Sequence, residues 1–156
     1  MRRPGKEAPM RLSTKGVYAL EAMFVFALSP PDQRLSVREI SARTGLSDRY
    51  LEQIFTRLKR AGLIRSIRGK QGGYCLAQSA DQISVLDVLQ AAEGDLAPVR
   101  CLEKDQACHR SAACRTRPVW QAMGEVMVRQ TDQLTLAMLA TRYHEGRYEE
   151  QIDFSI

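Results

Sequence analysis

With 156 residues the chain has room for one domain of ordinary size and a modest extension. Hydrophobic residues make up 44% and charged residues 26%, which excludes a disordered chain. The longest apolar run, Ala22 to Leu28, falls far short of the ~20 residues a membrane helix needs, and no apolar signal segment follows the basic start Met1-Arg2-Arg3. A cytoplasmic protein without a membrane partner is expected. The net charge of +5 is unevenly placed: residues 1–70 carry 15 Lys/Arg against 6 Asp/Glu, whereas residues 71–156 carry 8 against 12. One half is suited to a polyanion and the other is not.

Residues 1–9 lack periodicity and contain Pro4, Gly5 and Pro9, so they read as a flexible tail. Ser13 or Thr14 can cap a first helix to about Leu28, with Val17, Leu20, Met23, Phe24, Ala27 and Leu28 as its apolar face. Pro30-Pro31 ends it. Ser36 caps a short helix to about Arg43 that turns Val37 and Ile40 inward, and Gly45 breaks it. The next helix, about Ser47 to Ala61, carries Leu51, Ile54, Phe55 and Leu58 at i, i+3, i+4 and i+7. Arg49, Glu52, Gln53, Thr56, Arg57 and Arg60 occupy the rest of its surface. Leu63 to Arg68 alternates like a strand, Gly69 to Gly73 makes a turn, and Tyr74-Cys75-Leu76 returns as a second strand. A short helix, about Ser84 to Ala92, follows.

Two short helices joined by Thr44-Gly45-Leu46 and followed by a basic hairpin describe a winged helix-turn-helix. The fold is mainly α with a small β-hairpin, the winged unit spanning residues 10–93. A major groove admits one helix whose polar face reaches base edges, and the hairpin tip brings Arg68 and Lys70 close to phosphate or the minor groove. Double-stranded DNA is the expected partner. RNA fits the charge but not the 6% aromatic content.

Residues 94–116 are polar and irregular and hold Cys101, Cys108 and Cys114 in the spacing C-x6-C-x5-C. Three thiols in one such loop point to metal or redox chemistry rather than structural disulfides. Thiolates suit zinc, copper(I) or iron–sulfur clusters, and the absence of a C-x2-C pair disfavours structural zinc. Arg100, Arg110, Arg115 and Arg117 would favour the thiolate form and offset the charge of a thiolate-bound cluster. Cys75, on the hairpin, reads as a packed side chain. From Pro118 one long helix is predicted to about Tyr143, with residues 117–143 as a dimerisation helix. Its stripe of Val119, Trp120, Met123, Val126, Met127, Gln130 and Leu134 calls for a second copy. Residues 144–156 read as an acidic tail. No nucleophile–base pair is visible around His109 or His144, so an enzyme is not expected.

Several stretches resemble the Rrf-two family of bacterial winged-helix regulators, which includes the IscR, NsrR and CymR types. Met10-Arg11-Leu12-Ser13-Thr14-Lys15-Gly16-Val17-Tyr18-Ala19-Leu20 is similar to the family's opening. Ser47 to Phe55 and Gly62 to Gly69 are similar to its recognition helix and wing, and Gly72-Gly73-Tyr74 to the hairpin close. Cys114 to Trp120 and Leu134-Thr135-Leu136 resemble the loop exit and dimer helix. The resemblance covers about residues 10–143. It implies a homodimer on palindromic operator DNA, with Tyr50, Glu52 and Gln53 lining the major groove and Arg68 entering the minor groove. Arg49 stands where relatives often carry a small hydroxyl residue. The resemblance further implies an iron–sulfur cluster, 2Fe-2S, on Cys101, Cys108 and Cys114. The fourth-ligand positions of relatives fall here on Arg117 and Val17, neither of them suitable; Glu21 of a partner chain and His109 are the candidate side chains, and a hydroxide, water or small thiol is the other way to complete the site. The implied activity is a sensor of redox, nitric oxide or iron–sulfur status. The alternative is a cluster-free regulator controlled by thiol oxidation or by a protein or small-molecule partner.

Overall fold

Small hydroxyl residues set the helix starts. Ser13, Ser36, Ser47, Ser84 and Thr135 stand at N-caps in extended backbone, and each side chain accepts from a first-turn N–H. These bonds satisfy donors that a helix start leaves unpaired. The computed structural model describes residues 13–103 and 111–146. The tail at 1–9, the opening Met10 to Leu12, Cys108, His109, Arg110 and the acidic segment beyond 146 lie outside the described residues.

The elements in chain order are α1 (Thr14–Leu28), α2 (Val37–Thr44), α3 (Asp48–Arg60), β1 (Ile64–Ile67), β2 (Gly73–Leu76), α4 (Val85–Glu93), α5 (Arg117–Gln133) and α6 (Leu136–His144). Two single 3-10 turns, Arg100–Leu102 and Ser111–Ala113, lie between α4 and α5. β1 and β2 pair antiparallel, with Ile64 opposite Leu76 and Ile67 opposite Gly73. Leu35 exchanges two backbone hydrogen bonds of 2.9 and 2.8 Å with Tyr74, which fastens the hairpin to the helical body. Among the described residues the fold is thus mainly helical with one small hairpin, as the sequence indicates. No helix among the described residues is long and apolar enough to cross a membrane.

The core gathers the predicted α3 stripe, Leu51, Ile54, Phe55 and Leu58, against Ala19, Ala22, Met23 and Phe26 of α1, with Leu35, Ile40, Ile64 and Val88 around them. Phe55 sits between Phe26 and Tyr74, at ring-centroid distances of 6.0 and 4.8 Å. Cys75 is buried on β2, as its placement between Tyr74 and Leu76 suggested.

Two expectations are corrected. The buried side of α1 is Gly16, Ala19, Ala22, Met23, Val25 and Phe26, not the predicted stripe, of which Met23 alone is fully buried. The helix is apolar nearly all round, so periodicity could not choose its face. Its small residues decide instead, because they let α4 approach closely. A Cβ on Gly16 would stand 2.7 Å from Glu93 Oε1 and 3.2 Å from Leu89 Cδ2.

The long helix expected from Pro118 to Tyr143 is two helices. It breaks at Leu134–Thr135, where the chain pairs with the segment ahead of α4. Val85 N donates to Leu134 O at 2.7 Å, Leu136 N to Ile83 O at 2.9 Å and Ala137 N to Ala80 O at 3.0 Å. These bonds replace intrahelical ones, Thr135 caps the new helix, and Leu136 becomes fully buried. α6 then packs on α1, with Phe24 and Tyr143 edge to face at 5.5 Å. Residues 134–140 thereby join the core of the winged unit.

Leu136→Ala should therefore cost ~2–5 kcal/mol of unfolding free energy, whereas Val126→Ala on exposed α5 should cost much less. Urea denaturation of both variants measures the difference. Equal midpoints would show that α6 is not part of the core.

Candidate nucleic-acid interface and cysteine loop

The turn between α2 and α3 is tied locally. Gly45 takes the left-handed conformation at φ +75°, which favours glycine. Ser41 Oγ donates to Leu46 O at 2.6 Å and Thr44 Oγ1 to Ile40 O at 2.8 Å, while Leu46 N donates to Thr44 Oγ1 at 3.3 Å. At the other end of α2, Ser36 and Glu39 form a reciprocal cap. Hydrogen bonds from the Ser36 backbone and hydroxyl hold the Glu39 carboxyl below its usual value. The angle of α3 is set by these contacts and by its buried stripe.

Opposite that stripe, Arg49, Gln53, Thr56 and Arg60 follow one another at i, i+4, i+7 and i+11, all exposed. Glu52 and Lys59 lie on the flank toward the hairpin, where Lys59 Nζ stands 3.5 Å from Ser66 Oγ. Tyr50 and Arg57 lie on the other flank and are engaged within the protein. The Tyr50 ring meets Tyr18 edge to face at 5.3 Å, and its hydroxyl lies 3.4 Å from Thr14 Oγ1. Arg57 Nη1 donates to Ala92 O at 2.9 Å, a carbonyl of the last turn of α4. A cleft of about 770 Å³ opens between α3, α1 and α4, lined by Lys15, Tyr50, Gln53, Arg57 and Arg60 among others and by no acidic side chain. Arg68 and Lys70 are exposed in the hairpin connection.

Of the residues singled out from sequence, Arg49 and Gln53 point outward together, Glu52 flanks them, and Arg68 and Lys70 lie on the hairpin. Thr56, Arg60 and Lys15 join this basic surface. Extending the spacing from Arg49 and Gln53 finds Thr56 and Arg60, whereas nothing local marks Lys15 on the first turn of α1.

Cys101 lies in the first 3-10 turn and Cys114 just after the second, both half-buried and free. The Cys114 sulfur lies 3.5 Å from Thr116 Oγ1. Hydrogen bonds from the Thr116 hydroxyl and then its N–H, assisted by the N–H and charge of Arg117, hold this thiol below its ordinary value. Thr116 Oγ1 also accepts from Trp120 Nε1 at 3.3 Å. Glu21 is exposed on α1. Among the described residues no three His, Cys, Asp or Glu side chains converge, so one chain does not assemble Glu21 with Cys101 and Cys114. As a donor set, a soft half-exposed thiol biased toward thiolate beside arginines suits a thiolate-ligated cluster.

α5 buries no residue completely. Gly124 faces Pro98 of the connection, whereas Val119, Met123 and Val126 are 55%, 40% and 49% exposed along the predicted stripe.

Comparison with known proteins agrees with this geometry. Residues 12–142 match the model of the Rrf2 family, described as an iron-dependent transcriptional regulator. The protein rrf2 of Nitratidesulfovibrio vulgaris is 38% identical over 130 residues, covering 83% of this chain and 87% of that protein. The structure of CymR, the global cysteine regulator of B. subtilis, superposes with a TM-score of 0.68 at 34% identity, covering 84% of this chain and 96% of that one. The IscR of T. potens gives 0.69 at 34% identity, covering 91% of each chain.

Because Arg57 bridges two helices and Arg60 does not, Arg57→Ala should lower stability by ~1 kcal/mol while Arg60→Ala stays within about 0.5 kcal/mol. Chemical denaturation separates them. Equal losses would remove the bridging role.

Proposed function

The chain belongs to the Rrf2 family of transcriptional regulators, and on that premise we propose that it works as a homodimer on partly palindromic operator DNA in the cytoplasm, sensing redox, nitric oxide or iron–sulfur status. Regulators of this family are not enzymes. α3 enters the major groove with Arg49, Gln53, Thr56 and Arg60, flanked by Glu52 and by Tyr50 and Arg57. The hairpin brings Arg68 and Lys70 to the minor groove or phosphates.

The placement of the thiols carries the reading. Cys101 and Cys114 lie within the connection between the DNA-reading body and α5, whose Val119, Met123 and Val126 are left exposed. That stripe meets its copy in a second chain, setting the two α3 helices roughly 34 Å apart, one turn of duplex. Cys101, Cys108 and Cys114 would hold a 2Fe-2S cluster, completed by Glu21 of the second copy or by His109. When bound, the cluster supplies an oxidation- and nitric-oxide-sensitive centre. Thr116 and the arginines around the loop favour the thiolate form it needs.

A second reading keeps the dimer and the DNA but not the cluster: oxidation of Cys114, or a protein or small-molecule partner, provides the control. The half-exposed position of Cys114 and its lowered thiol value favour it.

Anaerobic purification followed by iron, sulfide and visible-absorption measurements tests the first reading against the second. Replacing Cys101, Cys108 and Cys114 by Ala should abolish iron content and change operator affinity by at least about tenfold, ~1.4 kcal/mol. Unchanged iron and unchanged affinity would refute cluster sensing. Met123→Asp should yield a monomer in sedimentation and weaken operator binding, and a dimer of undiminished affinity would refute the α5 interface.

A further inference from the structure

We propose that Thr116 is a positioning residue for the Cys114 ligand sulfur: its hydroxyl, oriented by the Trp120 indole, donates a hydrogen bond to that sulfur and raises the reduction potential of the cluster held there. The inference rests on the cluster reading above.

Thr116 occupies the N-cap of α5 but does not cap it. Every other α-helix start described has a Ser or Thr side chain accepting from a first-turn N–H, whereas Thr116 makes no such bond. Pro118, in the first turn of α5, removes one N–H that such a cap would use. The freed hydroxyl lies between two partners: Trp120 Nε1 at 3.3 Å and Cys114 Sγ at 3.5 Å.

Proton inventory fixes the direction. An indole N–H can only donate, so Thr116 Oγ1 accepts from it, and the single hydroxyl proton is left for the sulfur. A sulfur serving as ligand is deprotonated and has nothing to donate. Thr116 is then the donor and Cys114 the acceptor. Hydrogen bonds to ligand sulfurs stabilise the more negative, reduced form of a cluster, so losing one lowers the potential. Trp120 is partly buried beside exposed Val119 on α5, so the same two bonds connect the ligand sulfur to the first turns of that helix.

The experiment compares wild-type protein with Thr116→Val and Thr116→Ser, reconstituted anaerobically. Iron and sulfide are assayed, and each cluster is reduced stepwise with dithionite, one electron per cluster, and followed in visible absorption. Equal cluster content is expected, with Thr116→Ser close to wild type. Thr116→Val should show a roughly tenfold lower reduced-to-oxidised ratio at a fixed potential, ~59 mV for one electron. Equal potentials in wild type and Thr116→Val would overturn the inference and leave the cluster reading standing. If wild-type protein takes up neither iron nor sulfide, the cluster reading fails by itself. The hydrogen bond is then tested by emission of Trp120, the single tryptophan, in a variant keeping Cys114 as its one loop cysteine. An emission change on alkylation of Cys114 that Thr116→Val abolishes supports the Thr116 bond, and the same change in both overturns it.

Discussion

A short backbone clasp governs how this molecule is put together. Leu134 to Ala137 and Ala80 to Val85 exchange three hydrogen bonds of 2.7 to 3.0 Å, and Leu136 is driven into the core beside them. Such bonds have fixed lengths and directions, so the C-terminal end of α5 cannot move relative to the start of α4 without breaking them. Among the described residues the N-terminal end shows no equivalent backbone pairing. It is reached through the cysteine-bearing connection and is held by Thr116, Cys114 and the contact of Gly124 with Pro98. On the proposed reading, a change at the thiols acts on the N-terminal end of a rod hinged at the clasp, where a small displacement becomes a change of angle.

The last turn of α4 joins that rod to α3. Its carbonyl end receives the Arg57 guanidinium from α3, and its final residue, Glu93, turns to the start of α1. There Glu93 accepts from Ser13 Oγ at 2.6 Å and from Gly16 N at 2.8 Å. A cation at a helix C-terminus and a carboxylate at a helix N-terminus both complement the helix dipoles. α1, α3 and α4 are thus locked at one corner, immediately ahead of Gly94, where the cysteine-bearing connection departs.

The sequence was most legible where one face of an element meets the core. The α3 stripe, the hairpin and the caps at Ser36 and Ser47 follow from local pattern alone. It was least legible where tertiary contacts override the pattern. α1 is apolar nearly all round, so its buried side is set by the closeness of α4 at Gly16. The break at Leu134 lies inside an unbroken helical periodicity and exists because another segment supplies the hydrogen bonds. At the candidate site, residue type separated the α3 surface from its core, but not the outward row from the flanks. Tyr50 and Arg57 look like readers in sequence, and both make contacts within the protein that only the fold discloses.

Those two flank residues bear on how binding and assembly are connected. On the proposed reading, a single winged unit offers four outward side chains on α3 and the two cations of the hairpin connection, and phosphate and base contacts of that number hold one half-site weakly at physiological salt. Two units held at a fixed separation behave as linked binders, and the second half-site is then met at high effective concentration only if the geometry matches. In the proposed dimer that separation depends on the angle of α5 to the body, set at the clasp, and on the angle of α3 to α4, set at Ala92 by Arg57. On the proposed reading, Arg57 therefore bears on DNA binding through the placement of α3 even before any contact with a phosphate is counted. Loss of this side chain and loss of a purely outward one such as Arg60 differ in kind, because the first alters where the whole helix stands and the second removes one contact from a helix that has not moved.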